Sequence, residues 1–302
     1  EVNYCRKNNI EIVTVADERY PEPLREAVDR PHVLFVQGSV EALSMRTLSM
    51  VGTREMSPSG QHVADKLIAE LGAKLSDLCI VSGLAYGVDA ACHRAALAHN
   101  VKTVAVVANV LPDVQPAPHR ALAEDILRRG GAIVSELHSQ TKQNGRQFVA
   151  RNRIIAAMSM GTLVVESPAS GGSLVTADMA DGYHRTVMAL PGRITDANSF
   201  GTNNLIRSGK ARLVLTADDI IEDMDWEVTN MPTMDEGDKE LLEGLTSEQM
   251  RCLEALGGAV SMDVSQILAA TAMTIGELTM ALIELEMRGL VRQLPGQRYE
   301  RV

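Results

Sequence analysis

The sequence predicts an α/β protein built on a doubly wound, mostly parallel sheet, with a smaller module at its C-terminal end. Three observations carry that expectation. Short, continuous apolar runs such as LSMVGT at 48–53 and LCIVSG at 78–83 recur along most of the chain. They alternate with amphipathic stretches long enough to be covering helices, the pattern of parallel strands buried on both faces. Glycine and hydroxyl residues gather just after the strands, where sheets of this kind hold their ligands.

Taken in order, IEIVTV at 10–15 and HVLFVQG at 32–38 read as strands separated by a YPEPL turn at 20–24. Residues 1–47 therefore form an N-terminal lead-in to the main domain. The alternation proper begins with the strand at 48–53, followed by a helix from about Pro58 to Leu75 and a strand at 78–83. A helix through DAACHRAALAHN comes next. VKTVAVVAN, GAIVSEL, TLVVES, RTVMALPG and ARLVLT supply further strand candidates. Residues 48–225 thus read as an extended Rossmann-like core.

Residues 226–244 read as an acidic linker, and 245–302 as three helices closed by the Gly-centred hairpin VRQLPGQRYERV, the outline of a winged helix. The third of these helices holds Glu277, Glu284 and Glu286 against Arg288 alone, a poor composition for lying beside phosphates. That favours protein contact or intramolecular docking for the module. Arg292, Arg298 and Arg301 of the hairpin keep the DNA-binding alternative open.

A chain of 302 residues with 45% apolar and 23% charged residues has the composition of a soluble globular protein. No apolar run reaches the ~18 residues of a membrane span. The four cysteines are scattered without a C-x-x-C pair, which disfavours a zinc site or a disulfide framework and fits a reducing cytoplasm. Cys79 and Cys92 lie in apolar surroundings and read as buried structural residues. The chain begins at Glu1, which reads as a trimmed chain that an N-terminal domain would precede.

The net charge of −10 argues at first against a nucleic-acid binder. Its distribution reverses the argument. Between Ala217 and Glu243 there are eleven acidic residues and one basic, Lys239, which is −10 within that block and leaves the rest of the chain neutral.

The strongest local signal lies at 146–157. Arg146, Arg151 and Arg153 surround Phe148, in a chain with only three phenylalanines. Guanidinium groups suit phosphates and an exposed ring suits bases; the alternative for Phe148 is ordinary core packing. Two residues apart on a helix, Arg151 and Arg153 point about 200° from each other, so one is expected to anchor the fold while the other binds. Ser170, Gly171, Gly172 and Ser173 then open a helix whose N-terminus suits an anion. Arg54 stands in GTRE directly after a strand end, placed for phosphate or base contact. In SGLAYGVD, Ser82, Gly83 and the loop N–H groups are placed to cradle a phosphate, or simply to make a tight turn.

That loop is not the G-x-G-x-x-G fingerprint, so a nicotinamide cofactor is not expected. The histidines show no H-x-E or H-E-x-x-H spacing, and G-x-S-x-G is absent. No cofactor, metal or catalytic nucleophile is expected, and binding is favoured over chemistry.

In order along the chain, VGTREMSPSG, IVSGLAYGVDAACHRAAL, GAIVSE, FVARNRIIAAMS, VVES, SGGSLVTADMA, ALPG and GTNNLIRSGKA resemble the DNA-processing family DprA, also called Smf. The likeness covers roughly 20–223, and its F-x-x-RNRIIA and GTN-x-LIR-x-G elements are specific to that family. It implies a bacterial cytoplasmic homodimer of natural transformation, not an enzyme, that binds incoming single-stranded DNA, protects it and helps load the recombinase RecA. Matched by motif, Arg54, Phe148, Arg151, Arg153 and Ser170 to Ser173 correspond to the family's DNA pocket, and Asn204, Arg207 and Lys210 lie in the GTN-x-LIR-x-G element. Two stretches depart from the pattern. The YP-x-x-N element reads QPAPH at 115–119, and the proline-rich tract before F-x-x-RNR reads HSQTKQNGRQ, with Lys142 and Arg146 as substitute cations. The competing expectation is a Rossmann-like protein that binds or cleaves a nucleotide derivative through the same glycine-rich loops.

Overall fold

The structure is a computed structural model that describes residues 1–142, 144–229, 245–257, 261–271, 273–288, 290–294 and 298–301. Its contacts divide the chain into two units, Glu1–Met231 and Pro232–Val302.

In the first unit the alternation forms one nine-stranded sheet. The strands are β1 (Glu11–Thr14), β2 (Val33–Gly38), β3 (Arg46–Val51), β4 (Leu78–Ser82), β5 (Lys102–Val106), β6 (Ala132–Ser135), β7 (Gly161–Val164), β8 (Thr186–Ala189) and β9 (Arg212–Leu213). Their spatial order is β1-β2-β6-β5-β4-β3-β7-β8-β9. From β6 across to β9 every pair is parallel, while β1–β2 and β2–β6 are antiparallel. The lead-in segment thus adds two antiparallel strands at one edge of the main sheet.

The helices are α1 (Val2–Lys7), α2 (Glu22–Glu26), α3 (Pro58–Lys74), α4 (Val88–Ala98), α5 (Arg120–Arg128), α6 (Arg146–Met158), α7 (Gly172–Gly182), α8 (Phe200–Arg207) and α9 (Ala217–Asp223). Neither α1 nor α2 is foreshadowed by the sequence reading; α2 begins in the stretch read there as a turn, 20–24, and runs two residues beyond it.

Period-two alternation sends each strand's apolar residues to two cores. On one face Leu48, Met50 and Ile80 pack with Leu67, Ile68 and Leu71 of α3. On the other, Val51, Val81, Val104 and Val164 pack with Ile154 and Ile155 of α6 and with Ala177 and Ala180 of α7. Ser49 faces this second side and donates its hydroxyl to Ile155 O at 2.7 Å, so a polar residue in the middle of β3 is satisfied by α6.

The winding order creates the site. The chain moves outward from β3 through β4, β5 and β6, then returns through α6 to β7, which lies on the other side of β3. The order reverses between β3 and β7, and the loops after these two strands leave the sheet at its carboxyl edge.

The domain continues past Asp225. Thr229 N–H donates to Lys74 O at 3.1 Å, the Ser76 N–H donates to the Thr229 hydroxyl at 2.9 Å, and the Arg46 guanidinium lies 5.6 Å from the Trp226 ring centre. The start of the acidic linker is therefore fastened to the sheet domain. Its remainder, 230–244, lies outside the described residues.

The second unit contains helices Ser247–Gly257, Val264–Thr271 and Ile275–Met287, with β10 (Met262–Asp263), β11 (Val291–Leu294) and β12 (Arg298–Arg301) ordered β10-β12-β11. Cys252, Leu256, Ile267, Leu278, Leu282 and Leu285 fill its core. This is the expected winged helix; the turn of its hairpin, 295–297, and the Arg301 side chain lie outside what is described. Among the described residues, no single helix is long and apolar enough to cross a membrane.

Candidate functional site

A cleft opens at the reversal point, above the carboxyl ends of β3 and β7. Its walls are the Val51–Glu55 stretch after β3, the Phe148, Arg151 and Asn152 face of α6, and Gly171, Gly172, Ser173 and Thr176 at the start of α7. A second cavity adjoins it, lined by Tyr86, Gln115, Pro116, Phe148 and Arg151. Arg54, Ala85, Phe148, Val149 and Arg151 line both.

Arg54 is exposed and, among the described residues, has no carboxylate within ion-pairing distance. Its charge is available to a ligand. The segment that carries it is held by close backbone packing. Gly87, at φ +73°, brings the β4–α4 loop so near that a Cβ there would lie 2.2 Å from Thr53 O and 2.6 Å from Arg54 O. Only glycine adopts that conformation at such a distance cheaply.

Arg151 sits at the floor of both cavities and is 6% exposed. Its Nη1 donates to Gly83 O at 2.5 Å and also to Val106 O, which ties α6 to the ends of β4 and β5. Asp89 lies beside it and accepts the Ala85 N–H at 3.2 Å. Burial pushes the Asp89 carboxyl upward while Arg151 pulls it back. Burial likewise lowers Arg151, with Asp89 opposing. Gly83 is small for this reason: a Cβ on it would stand 2.5 Å from Asp89 Oδ2 and 2.7 Å from Arg151 Nη2.

Two exposed rings flank the second cavity. Phe148 is 40% exposed, so it is not core packing, and Tyr86 is 49% exposed. The Tyr86 ring meets His119 edge-on at 4.9 Å, and His119 Nδ1 is bonded to Leu84 O at 2.9 Å. The sequence reading missed Tyr86. Its one signal there was an aromatic set between two glycines in SGLAYGVD.

The opening turn of α7 completes the first cleft. Gly171 and Gly172 are exposed, while Ser173 is buried and donates to Ser167 Oγ at 2.9 Å. Thr176 donates to Gly172 O at 3.0 Å, and Asn198, another lining residue missed in the sequence, donates to Glu55 O at 2.7 Å. Glu55 also lines the cleft, so the basin is not uniformly cationic.

The expected site residues therefore separate. Arg54, Gly83, Phe148, Arg151, Gly171, Gly172 and Ser173 come together around the two cavities. Ser82 does not reach them. It is fully buried, and its hydroxyl donates to Met50 O at 2.6 Å, because it is the last residue of β4 and points into the sheet domain. Arg153 is paired with Glu136 at 2.5 Å and lies 3.9 Å from Asp29, so it braces α6 rather than lining either cavity. Lys142 and Arg146 are exposed just before and at the start of α6, without ion pairs among the described residues. Ser170 is exposed immediately ahead of Gly171. Asn204 and Arg207 are exposed on α8 and line neither cavity, and Lys210 is paired with Asp178 at 2.8 Å. The hydrogen-bonding amide beside them is Asn203, which clasps Gly192 through two bonds of 3.1 and 3.0 Å.

Cys79 and Cys92 are buried, as their apolar surroundings suggested, Cys5 and Cys252 are buried too, and burial pushes the Cys79 thiol up to about 12.

Comparison with known proteins identifies the lineage of this architecture. Residues 11–225 match the family described as DNA recombination-mediator protein A, and residues 237–297 match the DprA winged helix domain. Protein Smf of Escherichia coli is 33% identical over 295 residues, which cover 97% of this chain and 78% of that protein. The DNA processing protein DprA of Streptococcus pneumoniae is 35% identical over 213 residues, 70% of this chain and 74% of the relative. Its X-ray structure superposes with a TM-score of 0.67, covering 74% of this chain and 77% of that one. DNA processing protein A of Helicobacter pylori, solved for its single-stranded DNA binding mode, superposes with a TM-score of 0.64 at 26% identity, covering 73% of this chain and 99% of that one. With the sheet domain and the terminal winged helix each matched in sequence, the chain belongs to the DNA recombination-mediator protein A family.

Proposed function

We propose that this protein binds single-stranded DNA along the carboxyl edge of its sheet, protects DNA arriving during natural transformation and helps load RecA, acting in the cytoplasm as a homodimer and without catalysing a reaction. The observation that supports this most directly is the exposed Arg54, without an ion pair among the described residues, which together with the exposed ring of Phe148 lines both cavities. A strand of nucleic acid needs a cation for its phosphate and a flat apolar face for its base, and here both sit on one ridge. Tyr86 offers a second face across the adjoining cavity. The open first turn of α7 offers backbone N–H groups to a phosphate. We assign ligand contact to Arg54, Phe148, Tyr86, Gly171 and Gly172, with Lys142, Arg146 and Ser170 along the approach. Arg151 and Gly83 shape the floor.

A salt titration with oligo-dT and a duplex of equal length tests the reading. Affinity for the single strand falls with salt along a log–log slope of about −0.7 per phosphate contact. Arg54→Ala lessens that slope by about 0.7 and weakens binding about tenfold at moderate salt. Duplex binding that exceeds single-strand binding, or an unchanged slope, would sink the assignment. Thermal stabilisation by a mononucleotide with none from oligo-dT would instead favour the nucleotide-derivative reading.

A further inference from the structure

The helix Ile275–Met287 of the winged helix is apolar on two opposite faces. Leu278, Ala281, Leu282 and Leu285 are buried in that unit's own core. Gly276, Met280, Ile283 and Met287 follow one another at intervals of four, three and four, so they form a single stripe on the far side. Met280, Ile283 and Met287 are 59%, 48% and 84% exposed. A surface helix ordinarily turns polar residues outward, and a contiguous apolar stripe marks a contact surface.

Its borders are acidic. By helical spacing Glu277 and Glu284 run along one side of the stripe and Glu286 along the other. Beside it is a groove lined by Glu248, Gln249, Glu277, Met280 and Glu284. Gln249 donates to Glu284, which fixes the wall, and Arg251 is 3.7 Å from Glu248. Arg288 is the one cation that follows within a turn of the helix. In most winged helices this helix enters a DNA groove; a carboxylate-edged apolar stripe is repelled by phosphates. Stacking two copies through the stripe sets carboxylate against carboxylate whichever way the helices align, which disfavours self-association.

We propose that this face docks another protein, through a segment of that partner presenting apolar side chains flanked by lysine or arginine. The flexible thioethers of Met280 and Met287 conform to the apolar anchors, and the bordering glutamates select the basic flanks.

The test uses the full chain with methyl-labelled methionine, titrated with an amphipathic helical Leu/Lys peptide and with its Leu/Glu counterpart. The Met280 and Met287 methyl signals shift saturably with the Leu/Lys peptide, which binds at least about tenfold tighter than the Leu/Glu peptide. Met280→Lys with Ile283→Lys weakens it about tenfold with an unchanged far-ultraviolet circular dichroism spectrum, since both side chains are exposed. Equal affinity for the two peptides, or no saturable shift, overturns the proposal. Shifts of the same methyls on adding duplex DNA assign the face to nucleic acid. Self-association by sedimentation that the double variant abolishes assigns it to a second copy.

Discussion

Arg54 and Arg151 share two cavities but do different physical work, and substitution separates them. Arg151 is buried, donates to two strand-end carbonyls and lies beside a buried carboxylate. Arg151→Ala strips Asp89 of its cation and leaves those carbonyls short of donors, so urea unfolding should register a loss of about 3 kcal/mol or more. Arg54→Ala changes an exposed side chain without an ion pair among the described residues and should stay within about 0.5 kcal/mol of the parent in the same assay. Gly83→Ala forces a methyl against Asp89 and Arg151 and should cost about 2 kcal/mol. If Arg151→Ala unfolds at the parent's midpoint, the floor described here is wrong. A consequence for binding experiments is that DNA affinity lost in an Arg151 variant reports the shape of the site, while affinity lost in an Arg54 variant reports contact.

At the scale of elements, α6 shows what spacing alone discloses. That Arg151 and Arg153 point in different directions follows from their separation on a helix. That both are anchored does not, because Glu136, Asp29, Gly83 and Val106 are brought to them by the strand order. Ser82 is a related case: as the final residue of β4 its orientation depends on where the strand ends, and spacing alone leaves a phosphate cradle and a tight turn equally open. The alternation of strands and helices needs only local periodicity and was legible throughout, whereas α2 and the docking of Trp226 on Arg46 depend on distant surfaces. The helix α4 carries a testable case of the same kind. The Thr103 hydroxyl donates to Ile80 O at 2.7 Å, so at its 2.7 Å contact with His93 it accepts from Nδ1–H. His93 Nε2 is buried without a partner among the described residues, and burial pushes the imidazole down to about 3. The unfolded chain then binds the extra proton first. The stability due to neutral His93 is complete above the unfolded value near 6.5 and drains away as pH falls toward 3. Between pH 7 and pH 5 this amounts to roughly 2 kcal/mol. His93→Gln, which keeps a donor toward Thr103, should remove that part of the pH dependence; identical slopes for parent and variant would refute the assignment.

Across the whole molecule, charge is segregated rather than balanced. The net −10 is accounted for by the block from Ala217 to Glu243, whose first part lies on α9 of the sheet domain, where Asp218 pairs with Lys74 and Asp223 with Arg212. Cations at one edge that have no ion pair among the described residues would hold a polyanion by local contact, since exposed charges farther apart than ~10 Å are largely screened at 0.1 M salt. The carboxylates of 235–243 are therefore expected to act on DNA chiefly at low ionic strength. Replacing Asp235, Glu236, Asp238, Glu240 and Glu243 by their amides removes five negative charges. At about 0.15 M salt the affinity for oligo-dT should stay within about twofold of the parent, whereas at about 0.01 M, where the screening length grows to ~30 Å, it should rise. Both affinities come from one fluorescence-anisotropy series. A gain of tenfold or more at the higher salt would show that these carboxylates reach the binding edge directly and compete with DNA for Arg54, and the expectation of a screened, low-salt effect would have to be abandoned.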